Sequence, residues 1–401
     1  MNASFLNNGK DGKNADLKKR IIGLCIIDGD HTIPDFGKKL DASIPTINKL
    51  VGELKDEGFL DDFGKYGKVG GRRPSVFGLN PAMGYIVGVA VENDFVSIAV
   101  TNFRGTIVDH EENLHFELVS TEKSFIELSA LVKKEISKMG IQMKDVLVCG
   151  INLSGRVNYQ TGFSFSYFLG EEKPITDFMQ AELGVPVMIE NDSRAMAYAE
   201  YLSGDCGNAR NVIFINASWG LGMGMILDGN LFYGKSGYSG EFGHFPMLSN
   251  NQICRCGKVG CLETGASGLA LHRIVLEKLQ AGQNSSLMEI YKKKSDITLN
   301  DILTAIREED ILAIESIEEV GFTLGKAIAG LVKIFNPEMV VIGGRLASAE
   351  DSLLLPLKSE MNKYSLNIIS KDTVVRLSKL GDTAGPLGAC LLSRSKILGF
   401  M

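Results

Sequence analysis

The sequence predicts an α/β protein in three parts: an N-terminal winged helix-turn-helix module, then two lobes of similar strand and helix order, the second carrying a cysteine-rich insertion. Three observations predict it. Short amphipathic helical stripes crowd the chain before residue 60. After residue 84, buried strand patterns alternate with helical ones in an order that recurs. One histidine and three cysteines gather between His244 and Cys261.

With 401 residues, 45% of them apolar and 22% charged, the chain has core for two or three domains and is not a disordered polymer. No stretch approaches the roughly 18 consecutive apolar residues of a membrane span, so no membrane partner is expected. Residues Met1–Lys13 are polar, lack the apolar run of a secretory signal, and are expected to form a disordered lead. Seven cysteines, three of them within Cys254–Cys261, suit a reducing compartment and a metal site better than a disulfide framework. The expected location is the cytoplasm.

The N-terminal module spans residues 14–80. A helix over Asp16–Ile27 puts Leu17, Ile21 and Leu24 on one face. A second opens at Thr32 with Pro34 in its first turn and Ile33, Phe36 and Leu40 at helical spacing. A third opens at Ser43 with Pro45 in its first turn and a stripe of Ile47, Leu50, Val51 and Leu54. Thr32 and Ser43 suit caps, because a hydroxyl accepts an orphan amide and an early Pro loses no helical bond. Only Asp41 and Ala42 separate the second helix from the third, the tight turn of a helix-turn-helix. The outer face of the third helix then presents Ser43, Pro45, Thr46, Asn48 and Lys49, small polar and basic groups that can reach base edges and phosphates in a major groove. Gly58 stops that helix. Two strands, beginning near Leu60 and over Ser75–Leu79, flank a basic Gly-rich loop in which Arg72 and Arg73 could enter a minor groove or clamp phosphate. Residues 1–80 carry 13 bases against 11 acids, a net of +2, while the remainder nets −8. That asymmetry is compatible with a polyanion partner. The competing reading is a helical module that docks another protein, with the basic loop as a solvated linker.

Asn80-Pro81 marks the boundary of a first lobe over 81–200. It reads as strands Tyr85–Val91, Val96–Thr101 and Ile107–Leu114, helix Thr121–Lys138 and buried strand Val146–Ile151. The second lobe, 201–384, repeats the order with strands Val212–Asn216, Met223–Leu227 and Leu231–Tyr233, helix Ile311–Ile334 and buried strand Met339–Ile342. A C-terminal helix over 385–401 is expected to complete the first lobe. The repetition suggests a duplicated unit with a ligand cleft between its halves.

His244, Cys254, Cys256 and Cys261 form one imidazole and three thiols, a closed tetrahedral zinc set with no open position, so the zinc would be structural. Gly257 and Gly260 permit the tight backbone that this spacing needs. The alternative is a set of free buried cysteines beside an unrelated histidine. A second pattern is the strand Val185–Ile189 running into Glu190-Asn191-Asp192. An Asn-Asp pair at a strand end can hydrogen-bond vicinal hydroxyls, and its carboxylate could act as a general base; alternatively Asp192 is a helix cap. A third is Trp219-Gly-Leu-Gly-Met-Gly224, either a phosphate-approaching hairpin or a plain glycine-rich turn.

Taken together these motifs resemble the ROK family (repressors, open reading frames, kinases) over nearly the whole chain from Lys18 onward. The resemblance rests on Glu190-Asn191-Asp192, Gly240-Glu241-Phe242-Gly243-His244, the run from Cys254 to Glu263, and Asn336-Pro337 followed by Ile342-Gly343-Gly344. The Gly71-Arg72-Arg73-Pro74 loop resembles the repressor branch, similar to xylose and N-acetylglucosamine repressors. The resemblance implies an actin-like, hexokinase-like two-lobed body. By the family pattern, Gly155, Asn191, Asp192, Glu241, His244 and Glu263 contact a sugar or sugar phosphate, with Arg156 beside them. His244 would hold zinc through one ring nitrogen and face the sugar with the other.

Kinase members carry an Asp-x-Gly-Gly-Thr hairpin where this chain has Ala90-Val91-Glu92-Asn93-Asp94, and Gly and Thr where it has Ser218 and Trp219. Two carboxylates at a polyphosphate seat repel it. Asp192 keeps the catalytic-base position, yet a base without a phosphoryl donor transfers nothing. The expectation is therefore a sugar-responsive transcriptional regulator, working as a homodimer or homotetramer on operator DNA, with kinase activity lost. An active sugar kinase and a regulator controlled by a docking protein are the alternatives.

Overall fold

Helix α1 (Gly12–Ile27) opens the described chain. The computed structural model describes residues 12–65, 74–92, 94–167, 173–294 and 296–400. The helix begins a turn earlier than expected, so Gly12 and Lys13 of the expected disordered lead are helical; residues 1–11 lie outside the described residues. Polar Lys13 and Asn14 carry no apolar period to announce them, and they extend a helix fixed by packing downstream. The buried face is Leu17, Lys18, Ile21, Ile22 and Cys25, rotated from the expected stripe, and Leu24 is half-buried. Lys18 lies there because its ammonium reaches Glu53 at 3.0 Å and Glu57 at 2.7 Å.

Strand β1 (His31–Thr32) was not legible, since two residues show no alternation. Helix α2 (Ile33–Leu40) starts in a full capping box between Thr32 and Asp35 and ends at Asp41, whose φ is 51°. Helix α3 (Ile44–Asp56) is capped by Ser43 and buries Ile47, Leu50, Val51 and Leu54. Strands β2 (Leu60–Lys65) and β3 (Ser75–Leu79) complete an antiparallel sheet in the order β1-β3-β2.

The first large sheet contains β4 (Tyr85–Val91), β5 (Phe95–Asn102), β6 (Ile107–His115), β7 (Val146–Leu153) and β10 (Val187–Asn191), ordered β10-β7-β4-β5-β6. Helices α4 (Glu122–Lys138) and α5 (Ile175–Leu183) connect its parallel strands, and the small strands β8 (Val157–Asn158) and β9 (Phe163–Ser164) pair beside it. After α6 (Asp192–Ser203), the second sheet holds β11 (Val212–Ala217), β12 (Leu221–Leu227), β13 (Asn230–Leu231), β14 (Met339–Gly343) and β15 (Val374–Leu377). Its order is β13-β12-β11-β14-β15. Both sheets are thus a three-strand antiparallel meander whose first strand also pairs in parallel with the fourth, with the fifth outside it. The duplicated order expected from sequence is present, although the expected strand Leu231–Tyr233 is reduced to the pair Asn230–Leu231. Helices α7 (Gly268–Gln280), α8 (Leu287–Lys294), α9 (Leu299–Arg307) and α10 (Ile311–Phe335) precede β14. Helices α11 (Asp351–Tyr364) and α12 (Asn367–Asp372) follow it, and α13 (Ala384–Ile397) ends the fold.

The chain divides into two compact units, one running to Asp192 and including Gly385 onward, the other Ser193–Ala384. The division falls at Asp192 rather than near residue 200. The small residues of α6 explain it: a Cβ at Gly222 would lie 2.0 Å from Ser193 Oγ, and one at Gly224 would lie 2.4 Å from the Ala197 Cβ, so α6 packs directly on β12.

Period two decides what each face of β4 buries. Val87, Val89 and Val91 face a core with Phe125, Leu128 and Val132 of α4. Ile86 faces the other way, into a core shared by Leu17, Ile21, Phe36, Leu50 and Leu54 of the N-terminal segment with Phe103, Val148, Cys390 and Leu398. The N-terminal module therefore has no core separate from the first sheet. Helix α13 reaches that sheet through a glycine notch. Gly88 and Gly150 are paired across β4 and β7, and a Cβ on either would come within 2.4 Å of α13 carbonyl or hydroxyl oxygens.

Candidate functional site

Strand β10 places the Asn-Asp pair. Its buried apolar residues alternate into the first-unit core, and its last residue, Asn191, emerges half-buried at the edge of that core. Asn191 Nδ2 donates to the Gly155 carbonyl at 3.0 Å and to Asp192 Oδ1 at 2.9 Å. Gly155 has φ 84°, and a Cβ there would sit 2.1 Å from Ser166 Oγ, so only glycine fits without displacing that serine. The Arg156 amide donates to the same Ser166 hydroxyl at 3.1 Å. Four of the residues expected at a sugar site, Gly155, Arg156, Asn191 and Asp192, are thus brought together by this turn and strand end. Sequence reading gave Glu190 no role. It is buried and accepts from the Asn191 amide at 2.8 Å through one oxygen, while the other binds Lys396 at 2.9 Å. The partner lies at the far end of the chain, and no local spacing signals it.

In the second unit, Glu241, His244 and Glu263 surround the cysteine-rich turn. His244 ends a short 3-10 turn, Phe242–His244. The chain then folds back through bridges Pro246–Cys261 and Ile253–Val259. Gly257 and Gly260 take φ of 80° and 81°, and the Gly257 amide donates to the Cys254 carbonyl at 2.8 Å, which closes the turn. The ligand atoms of His244, Cys254, Cys256 and Cys261 all lie within 4.8 Å of one another. Cys254 Sγ is 3.5 Å from His244 Nδ1, and Cys256 Sγ is 3.6 Å from Cys261 Sγ. A tetrahedral ion with metal–sulfur bonds of about 2.3 Å sets sulfurs about 3.7 Å apart, so the four groups fit a metal ion. Burial pushes the Cys254 thiol up to about 12. Burial also pushes Cys256 up, but a backbone hydrogen bond at Lys258 and the adjoining thiols outweigh it and hold Cys256 below its ordinary value.

The other ring nitrogen of His244, Nε2, lies 3.8 Å from Glu241 Oε2. Glu263 Oε2 accepts from the Leu221 amide at 3.0 Å, and its Oε1 lies 3.6 Å from Cys254 Sγ. One carboxylate therefore ties the His244–cysteine cluster to the start of β12.

The two stretches expected to have lost a phosphate cradle make contacts of their own. At the β4–β5 turn, the Glu92 amide donates to the Phe95 carbonyl at 2.9 Å, Glu92 and Asp94 are exposed, and Asn93 lies outside the described residues. Ala90 is buried, and its Cβ would lie 3.0 Å from a Cβ on Gly385. In the second stretch, the Ser218 and Trp219 carbonyls accept the Gly268 and Leu269 amides at 2.7 and 3.0 Å. Those are the opening amides of α7, and the Trp219 ring packs 5.5 Å from that of His272.

Of the residues expected at DNA, Pro45, Asn48 and Lys49 are exposed on α3 and Thr46 is half-buried. Ser43 accepts from the Thr46 amide at 3.3 Å and shares a hydrogen bond with its hydroxyl at 2.7 Å, so this pair also serves as the cap. Lys49 is 3.8 Å from Glu53 on an exposed helix face, a pairing of little energetic weight. Arg72 and Arg73 lie outside the described residues.

The chain matches the family model described as ROK family over residues 93–396. It is 30% identical over 369 residues to the xylose repressor of Caldicellulosiruptor bescii, covering 91% of this chain and 92% of that one. It is also 30% identical over 313 residues to the glucokinase of Halalkalibacterium halodurans, covering 76% of this chain and 93% of the other. Among solved structures, a ROK family transcriptional regulator described as a homolog of the E. coli MLC protein superposes with a TM-score of 0.78 at 26% identity, covering 95% of each chain. No helix among the described residues is long and apolar enough to cross a membrane.

Proposed function

Because this chain belongs to the ROK family, we propose that it is a sugar-responsive transcriptional repressor of carbohydrate-utilisation genes, acting in the cytoplasm as a homodimer or homotetramer. The observation that carries the reading is the segment ahead of the matched family region. Helices α1–α3 and a three-stranded sheet, with Pro45, Asn48 and Lys49 exposed at the start of α3, share a core with the first sheet. As a winged helix-turn-helix, the segment would seat α3 in a major groove, with Arg72 and Arg73 alongside. The repressor relatives, which match over nine-tenths of the chain, support the same reading.

The effector is a sugar or sugar phosphate, and the residues offered as its contacts are Gly155, Arg156, Asn191, Asp192, Glu241, His244 and Glu263. His244, Cys254, Cys256 and Cys261 hold a structural zinc, which fixes the loop carrying Glu263 and orients the His244 ring through Nδ1. Sugar binds one of two states of the protein more tightly, and those states differ in the spacing of the two α3 helices of a dimer.

Kinase activity is lost in this reading, because Ala90 replaces the aspartate and Glu92 and Asp94 stand where phosphates rest. The competing reading is an active sugar kinase, favoured by the retained Asp192 and the glucokinase relative. Titration calorimetry separates them. A panel of D-xylose, D-glucose, N-acetyl-D-glucosamine and their phosphate esters should include a binder, while millimolar ATP with magnesium should give no binding heat. Saturable nucleotide binding would favour the kinase.

A further inference from the structure

One side of helix α13 carries contacts that reach the proposed effector turn, and its other contacts reach the N-terminal module. On the first side, Lys396 Nζ lies 2.9 Å from Glu190 Oε2, with the two side chains 9% and 5% exposed. The same ammonium lies 4.4 Å from the Tyr159 ring centroid, in the turn after β8. Glu190 passes its other oxygen to the Asn191 amide, and Asn191 holds the Gly155 carbonyl and Asp192. Lys396 is thus one side chain removed from the effector contact.

On the other side, Arg394 donates to the Arg104 carbonyl at 2.6 Å and the Phe103 carbonyl at 3.3 Å. Arg104 in turn binds Asp30, just ahead of β1, at 2.6 Å and lies 4.6 Å over the Phe63 ring of β2. Past the helix end, Leu398 is fully buried in the shared core, and the Phe400 ring lies 2.8 Å from where a Cβ on Gly23 of α1 would be. Lys19 of α1 caps that ring at 5.5 Å. The glycine notch at Gly88 and Gly150 seats α13 on the sheet between these two sets of contacts.

We propose that Lys396 is a positioning residue for the effector site, and that the Lys396–Glu190 pair transmits effector binding at Asn191 through α13 to the seat of the DNA-binding module. This rests on the proposed function. A buried ion pair contributes little net stability compared with an apolar pair of the same size, and its best-attested use is to select one arrangement of the elements it joins. Here those elements are the strand end that would hold the sugar and the helix that holds α1. Sugar that reorients Asn191 changes the hydrogen bond its amide makes to Glu190, and the ion pair then biases α13 and, with it, Phe400 against α1. The warrant is physical contiguity within one compact unit, and coupling is what the test measures.

The test compares wild type, Lys396→Met and the double variant Glu190→Gln/Lys396→Met as full-length proteins. An operator duplex selected by the wild-type protein from random sequence serves as the probe, with the sugar panel above. The readout is the ratio of operator Kd with and without saturating sugar. Operator Kd without sugar is expected to stay within about threefold of wild type in both variants, because no proposed DNA-contacting residue is altered. The sugar-dependent ratio is expected to fall at least tenfold, toward one, or to one where the wild-type ratio is smaller. A purely structural pair would lower the melting temperature and leave the ratio unchanged. If Lys396→Met does not fold, the double variant, which leaves no orphan buried charge, decides. A wild-type ratio in the folded variants overturns the proposal while the proposed function stands. A wild-type protein whose operator binding ignores every sugar overturns the proposed function and this link with it.

Discussion

Replacing Phe103 with alanine probes whether the N-terminal module and the first sheet stand or fall together. Phe103 follows β5, is fully buried, and its ring centre lies 6.2 Å from that of Phe59, at the foot of the module. Both belong to the core that joins Ile21, Leu50 and Leu54 to Ile86 and Val148. A ring burying on the order of 150 Å², at about 25 cal/mol per Å², forfeits about 4 kcal/mol. An unfilled cavity adds to that loss and partial collapse around it subtracts, which places the expected total at about 3–5 kcal/mol. The Phe103 carbonyl keeps its bond to Arg394, so the loss is one of packing. For a unit on the order of 200 residues, that loss lowers the melting temperature by about 6–20 °C. Hydrogen exchange resolved by peptide is the decisive assay. Amides of α3 and of β5 should lose protection by the same free energy, because they open as one cooperative unit. Unchanged protection in α3 while β5 weakens would refute the shared core, and with it any rigid route from the first sheet to the module.

Two other perturbations test separate parts of the account. Cys256→Ser should abolish tight binding of zinc, measured by metal analysis after dialysis, and should remove the sugar response of operator binding if His244 serves both sites as proposed; a metal-free variant with a normal response would break that coupling. Asp310 caps α10 and accepts from Ser285, Ser286 and the Ala313 amide. Burial pushes its carboxyl up, but these hydrogen bonds outweigh it and hold it below the ordinary carboxylate range. The depressed folded value means that the carboxylate's stabilisation is complete above the unfolded value of about 3.9 and fades as pH falls through the folded one. Asp310→Ala should therefore cost about 1–2 kcal/mol at pH 7, measured by denaturant melts, and progressively less below about pH 4; a cost independent of pH would show that the carboxylate charge is irrelevant.

Much of this architecture could be read from residue order because the period of burial changes where the fold does. Ile47, Leu50, Val51 and Leu54 gave α3 its buried face, and Ser43 with Pro45 gave its start. Strands β4 and β5 and their repeat in β11 and β12 were visible because buried strands are near-continuous apolar runs, whereas β6 is mostly exposed. What stayed hidden depends on partners distant in sequence. Strand β1 exists because His31 and Thr32 pair with Phe77 and Val76. The face of α1 is rotated because Lys18 finds Glu53 and Glu57 on another helix. The module looked separable at Asn80-Pro81, yet Ile86, Phe103 and Leu398 complete its core. At the candidate sites, the His244 and cysteine spacing sufficed to identify a metal-competent cluster, whereas the role of Glu190 depended on Lys396.

The central claim is that sugar binding, with no nucleotide and no chemistry, sets the affinity for DNA. Anisotropy of a labelled operator duplex, followed while each sugar is titrated into the complex without ATP, tests it most directly. At least one sugar should move the operator Kd by tenfold or more, saturably, at the concentrations where calorimetry records its binding. An operator Kd that stays fixed while a sugar demonstrably saturates the protein would contradict the account.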